Sequence, residues 1–266
     1  DGNTAVGWNT MKGAMNGAAY NVALGRSALQ DLTTGDSNVA VGAFALENNT
    51  TGVGNVAIGS WDSSTYQAPL TTNTVGSFNI AIGSGVLRLA NEDDNDGSVG
   101  IGYGALNNQA GTGGSQFASA TTAVGYKALE AMTTATGNTA IGYFSMGTNT
   151  NSSNNTAFGY YTLGNMDGGN GANTAVGNLA MLANTTGATN TAVGDNASRL
   201  NQTGVDNVAV GRMALYSNTT DRNTAVGLEA GYTTTGADNT YVGYRSGKGA
   251  SGAEADNVGV GANSLL

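Results

Sequence analysis

The chain has 266 residues, enough on length alone for one or two globular domains, yet 43 are glycine, one is proline, none is cysteine or histidine and only 10% carry charge. A formal net charge of −9, with nine lysines and arginines scattered along the chain, excludes the basic patch that nucleic-acid binding needs. Without His or Cys there is no Ser-His-Asp triad, no thiolate nucleophile, no disulfide framework and no His/Cys zinc site.

No apolar run is long enough to span a membrane and no signal peptide opens the chain. Asp1 is not an initiator, so the chain reads as a processed product or an excerpt. Glycine-rich sequences of low charge are disordered when they lack a period, but this one has a period. Asn3-Thr4-Ala5-Val6-Gly7 returns as a pentapeptide starting at 21, 38, 55, 79, 98, 121, 138, 155, 173, 190, 207, 223, 239 and 257. Asn leads every copy except those of Ser98 and Thr121. The second residue is β-branched, the third is Ala apart from Gly100, Tyr241 and Gly259, the fourth is apolar and the fifth is always Gly.

Alternation with period two predicts a short β-strand whose branched side chains face one way and whose Asn, Ala and Gly face the other. Three to four residues after the glycine comes Ala-Leu or a relative, as at Ala28-Leu29, Ala45-Leu46 and Ala128-Leu129. This predicts a second short strand or extended corner that drops one large side chain inward. A turn follows, as in Asn49-Thr50-Thr51-Gly52, whose residues suit left-handed positions and side-chain-to-backbone bonds.

A unit of about seventeen residues cannot bury a core alone but can when stacked on its neighbours. The expectation is an all-β chain: one parallel β-solenoid domain over 1–266, of about 15 coils. Equivalent residues would form ladders, with Asn38 and Asn138 in an amide column, Gly42 and Gly142 at a corner, and Val39, Val41 and Ile141 in the branched column. We expect Ala, Gly and Leu to fill the coil, leaving the branched column to face sister chains about a three-fold axis, because an exposed stripe of that length is rare on soluble monomers.

Asn38-Val39-Ala40-Val41-Gly42 and Asn138-Thr139-Ala140-Ile141-Gly142, each followed by Ala-Leu or Ser-Met, resemble the head repeat of trimeric autotransporter adhesins of the YadA type. The longer unit from Asn173 to Gly187 is similar to repeats of bacteriophage tail fibres. The resemblance covers nearly the whole chain. It implies a left-handed parallel β-roll, a homotrimer, and a place in an extracellular fibre, on a bacterial surface or a virion tail, that contacts a surface receptor. The repeat here is longer than the adhesin repeat, and the 266 residues contain no heptad stalk, membrane-anchor barrel or C-terminal chaperone domain.

Three linkers exceed the period, at 60–78, 84–97 and 103–120. Stacking would bring such insertions together into one patch holding Trp61, Tyr66, Phe78 and Phe117; the alternative is drift in loops that tolerate length. Tyr103, Tyr126, Tyr143 and Tyr160 each follow a motif glycine directly, and in register they would form a column. Such a column offers either a platform for the sugar rings of a cell-surface glycan or a ladder that stiffens the roll. Within Glu92-Asp93-Asp94-Asn95-Asp96-Gly97, the carboxylates of Glu92, Asp94 and Asp96 partly match a calcium loop, but Tyr103 stands where its closing glutamate belongs. A solvated acidic loop is the simpler reading, so no metal or cofactor is expected. Asp36, Asp206, Asp238 and Asp256 read as turn formers. Asp62 and the acidic run are the only clustered carboxylates for glycoside hydrolysis, too little to predict an enzyme. Asn-x-Ser/Thr triplets at Asn49, Asn184 and Asn218 coincide with the repeat's own turn chemistry. Two functions stay open, a receptor-binding fibre segment and a purely structural shaft or self-assembling filament module.

Overall fold

The computed structural model describes residues 2–62, 67–89, 96–108, 120–169, 171–249 and 255–265. Its described residues contain strands and turns but no helix. They fall into two compact units, residues 1–138 and 139–266. The first contains β1 (Thr4–Val6), β2 (Val22–Leu24), β3 (Val39–Val41), β4 (Val56–Ile58), β5 (Ile80–Ile82), β6 (Val99–Ile101) and β7 (Thr122–Val124). The second contains β8 (Thr139–Ile141), β9 (Thr156–Phe158), β10 (Thr174–Val176), β11 (Thr191–Val193), β12 (Val208–Val210), β13 (Thr224–Val226), β14 (Thr240–Val242) and β15 (Val258–Val260).

Within each unit consecutive strands pair in parallel with no slip. Val39 lies opposite Val56 and Ala40 opposite Ala57, as Thr174 lies opposite Thr191 and Ala175 opposite Ala192. Each unit is therefore a parallel β-solenoid with one strand per coil, and the strand is the motif itself. The facing is as expected. Ala23, Ala40, Ala57, Ala81, Ala123, Ala157, Ala175, Ala192 and Ala209 are fully buried, while the residues on either side of them are exposed or half-buried.

The interior is narrow, and its volume is shared between coils. Val86 takes an alanine's place beside Leu87, and Gly100 opposite it has no room for a methyl: a Cβ there would lie 2.4 Å from a Val86 methyl. In the second unit Tyr241 replaces the strand alanine and is buried. Leucine is absent from the two places that would crowd it, where Gly231 and Gly247 stand; a Cβ on either would lie 2.9 Å or 2.3 Å from the tyrosine ring.

The Ala-Leu segment is a turn, not the second strand or extended corner expected from the sequence. The large residue itself adopts the left-handed region: φ is 48° at Leu29, 52° at Leu46, 53° at Leu106, 51° at Met146 and 50° at Met181. Such a conformation costs a side-chain-bearing residue about 1–2 kcal/mol, whereas burying a leucine or methionine returns about 1.5–3 kcal/mol. Burial wins, and the turn also aims the amide at the next coil: Leu29 N–H donates to the Ala45 carbonyl (3.1 Å) and Met181 N–H to that of Ala197 (3.0 Å). The expected left-handed residues in the Asn-Thr-Thr-Gly turn are not found at Asn49, Thr50, Thr51 or Gly52, all of which have negative φ. The side-chain-to-backbone bond of that turn is present, Asn49 Nδ2 donating to the Gly52 carbonyl at 3.0 Å. Left-handed backbone occurs instead at the large residue, two places before it, and immediately before the motif Asn, as at Ser37, Gly54, Phe78, Asn154 and Asp206.

The Asn column is a hydrogen-bonded ladder. Asn21 Oδ1 accepts from both the backbone N–H (2.8 Å) and Nδ2 (3.1 Å) of Asn38, and Asn38 Nδ2 also donates to the Gly52 carbonyl at 2.8 Å. The pattern repeats through Asn155, Asn173, Asn190 and Asn207 in the second unit. At Asn38, Asn173 and Asn190 the amide is buried with its donors and acceptor used, which is what makes a buried polar column tolerable. The ladder stops in the first unit where Ser98 and Thr121 replace Asn, and the buried Thr121 hydroxyl and Asn79 Nδ2 have no hydrogen-bond partner among the described residues.

The motif glycine is required twice over. At Gly42 φ is 124°, and a Cβ would lie 1.9 Å from the Gly59 carbonyl oxygen of the next coil. Gly142 stands in the same relation to Gly159, at 2.1 Å. Gly42→Ala should therefore destabilise the first unit by at least about 3 kcal/mol in urea denaturation, since strain and backbone overlap add. Gly97→Asn should be nearly neutral, because Gly97 occupies the left-handed place that Asn154 fills in another coil and nothing lies within 4 Å of its Cβ. Tyr241→Ala should cost about 3–5 kcal/mol, with much of the loss recovered when Gly231→Leu and Gly247→Leu are added; either leucine introduced alone should destabilise.

Candidate contact surface

The three insertions leave the coil at two different corners. Leu70 stands eleven residues after Gly59, where Leu46 stands four after Gly42, so the extra residues of 60–78 lie directly behind the motif glycine. Leu87 and Leu106 keep the four-residue interval after Gly83 and Gly102, so the extra length of 84–97 and 103–120 comes later, in the turn before the next strand. The single patch expected from stacking is thus divided. Leu70 itself belongs to the buried column, its N–H donating to the Val86 carbonyl at 3.1 Å.

Of the candidate residues in these linkers, Tyr66, Phe117, Glu92 and Asp94 lie outside the described residues. Phe78 is 63% exposed in the corner that precedes β5, its ring over Gly54 of the coil before. Tyr20 lies in the same way over Gly2. Trp61 is 48% exposed at the corner that follows β4. The five residues of a motif separate these corners by roughly 15 Å at about 3.3 Å per residue, so Phe78 and Trp61 do not share a site.

Trp61 belongs instead to a cluster behind the glycines. Its ring meets Phe44 edge-on (centroids 5.3 Å apart, 77° between planes), and the Arg26 guanidinium lies 4.4 Å from the Phe44 centroid. Beside them is a cavity of about 130 Å³ lined by Phe44, Glu47, Trp61, Gln67, Ala68 and Thr71. Burial, reinforced by the negative charge of Asp31, raises the Glu47 carboxyl above its ordinary value, and Arg26 opposes them. No hydrogen bond or ion pair to that carboxylate is found among the described residues. The pentapeptide pattern gives no sign of Phe44 or Arg26; the one signal in the sequence is that Phe44 and Trp61 both stand two places after a motif glycine.

The tyrosines form stacked pairs. Tyr103 and Tyr126 in the first unit are 5.6 Å apart with 8° between planes, and the Tyr103 hydroxyl donates to Asp62 at 2.9 Å. Tyr143 and Tyr160 in the second unit are 5.4 Å apart at 18°, beside the pair Phe144–Tyr161 at 4.9 Å. In each pair the rings cover one another's faces, so the geometry is that of a ladder along the coils. A further pair, Tyr216 and Tyr232, stacks at 4.9 Å and 3°, with Arg199 6.0 Å from the first ring and Lys248 5.8 Å from the second. All four stand five places after a motif glycine, and that shared offset is their only mark in the sequence.

The acidic turn residues serve the backbone. Asp36 accepts from Ala19 N–H (2.6 Å), Asp96 from Ser77 N–H and Asp221 from Val205 N–H (2.9 Å), while Asp206, Asp238 and Asp256 occupy left-handed positions. Asp238 also forms a two-pronged pair with Arg222 at 2.6 and 2.9 Å, which holds its carboxyl below the usual range. No group of three or more His, Cys, Asp or Glu able to hold a metal occurs among the described residues. Asn49, Asn184 and Asn218 are fully buried, which rules out glycan attachment to them in the folded chain.

Comparison with protein-family models, curated proteins and solved structures gives no match to this chain.

The Glu47 carboxyl supplies a test of the cluster. A carboxyl whose folded value is raised favours folding most below its unfolded value, near 4.5, and loses that contribution as pH rises through the folded value. Wild type should therefore lose stability relative to Glu47→Gln between pH 4 and pH 7, as measured by denaturation midpoints across that range.

Proposed function

We propose that the chain is a non-enzymatic segment of an extracellular fibre, on a bacterial surface or a phage tail, that assembles as a homotrimer of left-handed β-rolls. It gives rigid extension and attaches to a surface receptor, most simply a glycan. The observation that carries this reading is the uncovered outer face of the strands. In the first unit Val6, Leu24, Ile58 and Ile80 are exposed on that face; in the second Phe158, Val193, Val210, Val226 and Val242 are. Each set lies along the outer face of its sheet, with half-buried residues in the coils between, and a soluble chain rarely leaves such a row of apolar side chains in water. Three copies set about an axis would remove it, and the resemblance of the motif to adhesin and tail-fibre repeats supports the same arrangement. Attachment is supported by aromatic side chains held at the surface on a stiff frame, Trp61 foremost.

One observation favours the second reading, a structural shaft. The tyrosine rings stack upon one another, and a ring face so covered is unavailable to a sugar. Binding of the purified chain to host cells separates the two, since a shaft does not bind.

The outer face can be tested directly. Val41 and Ile58 are partners across β3 and β4 and point away from the coil. Val41→Lys with Ile58→Lys should leave the β-rich circular dichroism intact while the mass from light scattering falls threefold. A wild-type chain that runs as a stable monomer overturns the trimer.

A further inference from the structure

We propose that the cavity between Phe44, Glu47, Trp61 and Gln67 is a subsite for a single neutral pyranose ring, and thus the place where a receptor glycan is held. The inference rests on reading the chain as an attachment segment and goes beyond it by naming site and ligand class.

Size comes first. A void of about 130 Å³ is close to the ~150 Å³ of an engineered protein cavity that takes up benzene, so it suits one six-membered ring and not a chain of them. The walls come next. Trp61 offers a half-exposed indole, which suits the apolar C–H face of a sugar, and its orientation is fixed by edge contact with Phe44. Phe44 is held in turn by Arg26. The polar groups complete the set: Glu47 presents a carboxylate with no partner among the described residues, and Gln67 an amide that both donates and accepts. A half-buried acceptor without a donor is most easily satisfied by ligand hydroxyls.

Charge narrows the class. Glu47 with Asp31 nearby disfavours uronic and sialic acids. A cationic ligand is disfavoured because Arg26 already places a positive charge over Phe44 and against the Glu47 carboxyl. A neutral, hydroxyl-rich ring is left. One ring of about a dozen non-hydrogen atoms can contribute an affinity on the order of millimolar; attachment then depends on several copies acting together.

The protein has two tryptophans, and Trp8 is 68% exposed, so Trp8→Phe leaves Trp61 as the only indole reporter without disturbing a core. In that background, titration with the methyl glycosides of glucose, galactose, mannose and N-acetylglucosamine should give a saturable fluorescence change with at least one of them. Glucuronate should give none at the same concentrations. Glu47→Gln should weaken the response about tenfold, and Gln67→Ala should weaken it further, with circular dichroism unchanged. No saturable response to any of the four, an equal response to glucuronate, or an unaltered response in Glu47→Gln overturns the proposal. Cell binding by the Trp8→Phe protein is measured in parallel. Retained cell binding without a sugar response rejects this pocket and leaves the attachment reading standing. A sugar response without cell binding keeps the pocket and rejects that reading.

Discussion

Everything in these coils follows from how closely one passes over the next. At most of the motif glycines, as at Gly42, Gly142 and Gly177, the backbone comes so near the neighbouring coil's carbonyl that even a methyl group would overlap it, and the same compression leaves room for little more than alanine between the strand and the opposite wall. Once the interior is that thin, three consequences are forced. The strand's branched residues must point outward, the buried polar residue must be one that bonds to its own copy in the next coil, and the single large side chain must enter from a tight turn. The left-handed leucines are the sharpest expression of this. They accept a backbone conformation that a β-carbon opposes, because only that turn delivers both the side chain to the core and the amide to the next coil.

Thinness also makes the interior a shared quantity, so departures from the repeat come in compensating sets. Val86 is matched by Gly100, and Tyr241 by Gly231 and Gly247. Taken singly in the sequence, each looks like decay of the motif. Taken across neighbouring coils they are substitutions of one volume for another. The asparagine ladder has no such compensation: where it is interrupted, Asn79 Nδ2 and the Thr121 hydroxyl have no hydrogen-bond partner among the described residues, in the coils whose connecting turns are also longest.

The strand, its facing, the amide ladder and the stacking of coils could all be read from the pentapeptide, because period-two alternation closed by an invariant Gly fits few backbones besides a short stacked strand. The corners could not. Leucine at positive φ contradicts local preference and is imposed by packing that no window of sequence contains. Leu70 lies displaced behind an insertion, so its membership of the leucine column appears only through its bond to Val86. The surface was legible in part. The tyrosines were found in register, but whether their faces or their edges meet solvent depends on ring orientation, and the partners of Trp61 come from the preceding coil.

The asparagine ladder also has a direction. The Oδ1 atoms of Asn21, Asn38, Asn173 and Asn190 each accept from the coil that follows, so within each unit these side-chain amide dipoles line up head to tail. The acceptors of such a row all point one way along the coils, which makes the two ends of a unit chemically unlike. A coil can extend the row only if it arrives in the same sense, with its asparagine donors toward a waiting oxygen. Reversed, it would set acceptor against acceptor. The ladder therefore encodes polarity, favouring growth in one orientation and discouraging the edge-to-edge pairing in arbitrary sense to which exposed strands are otherwise prone.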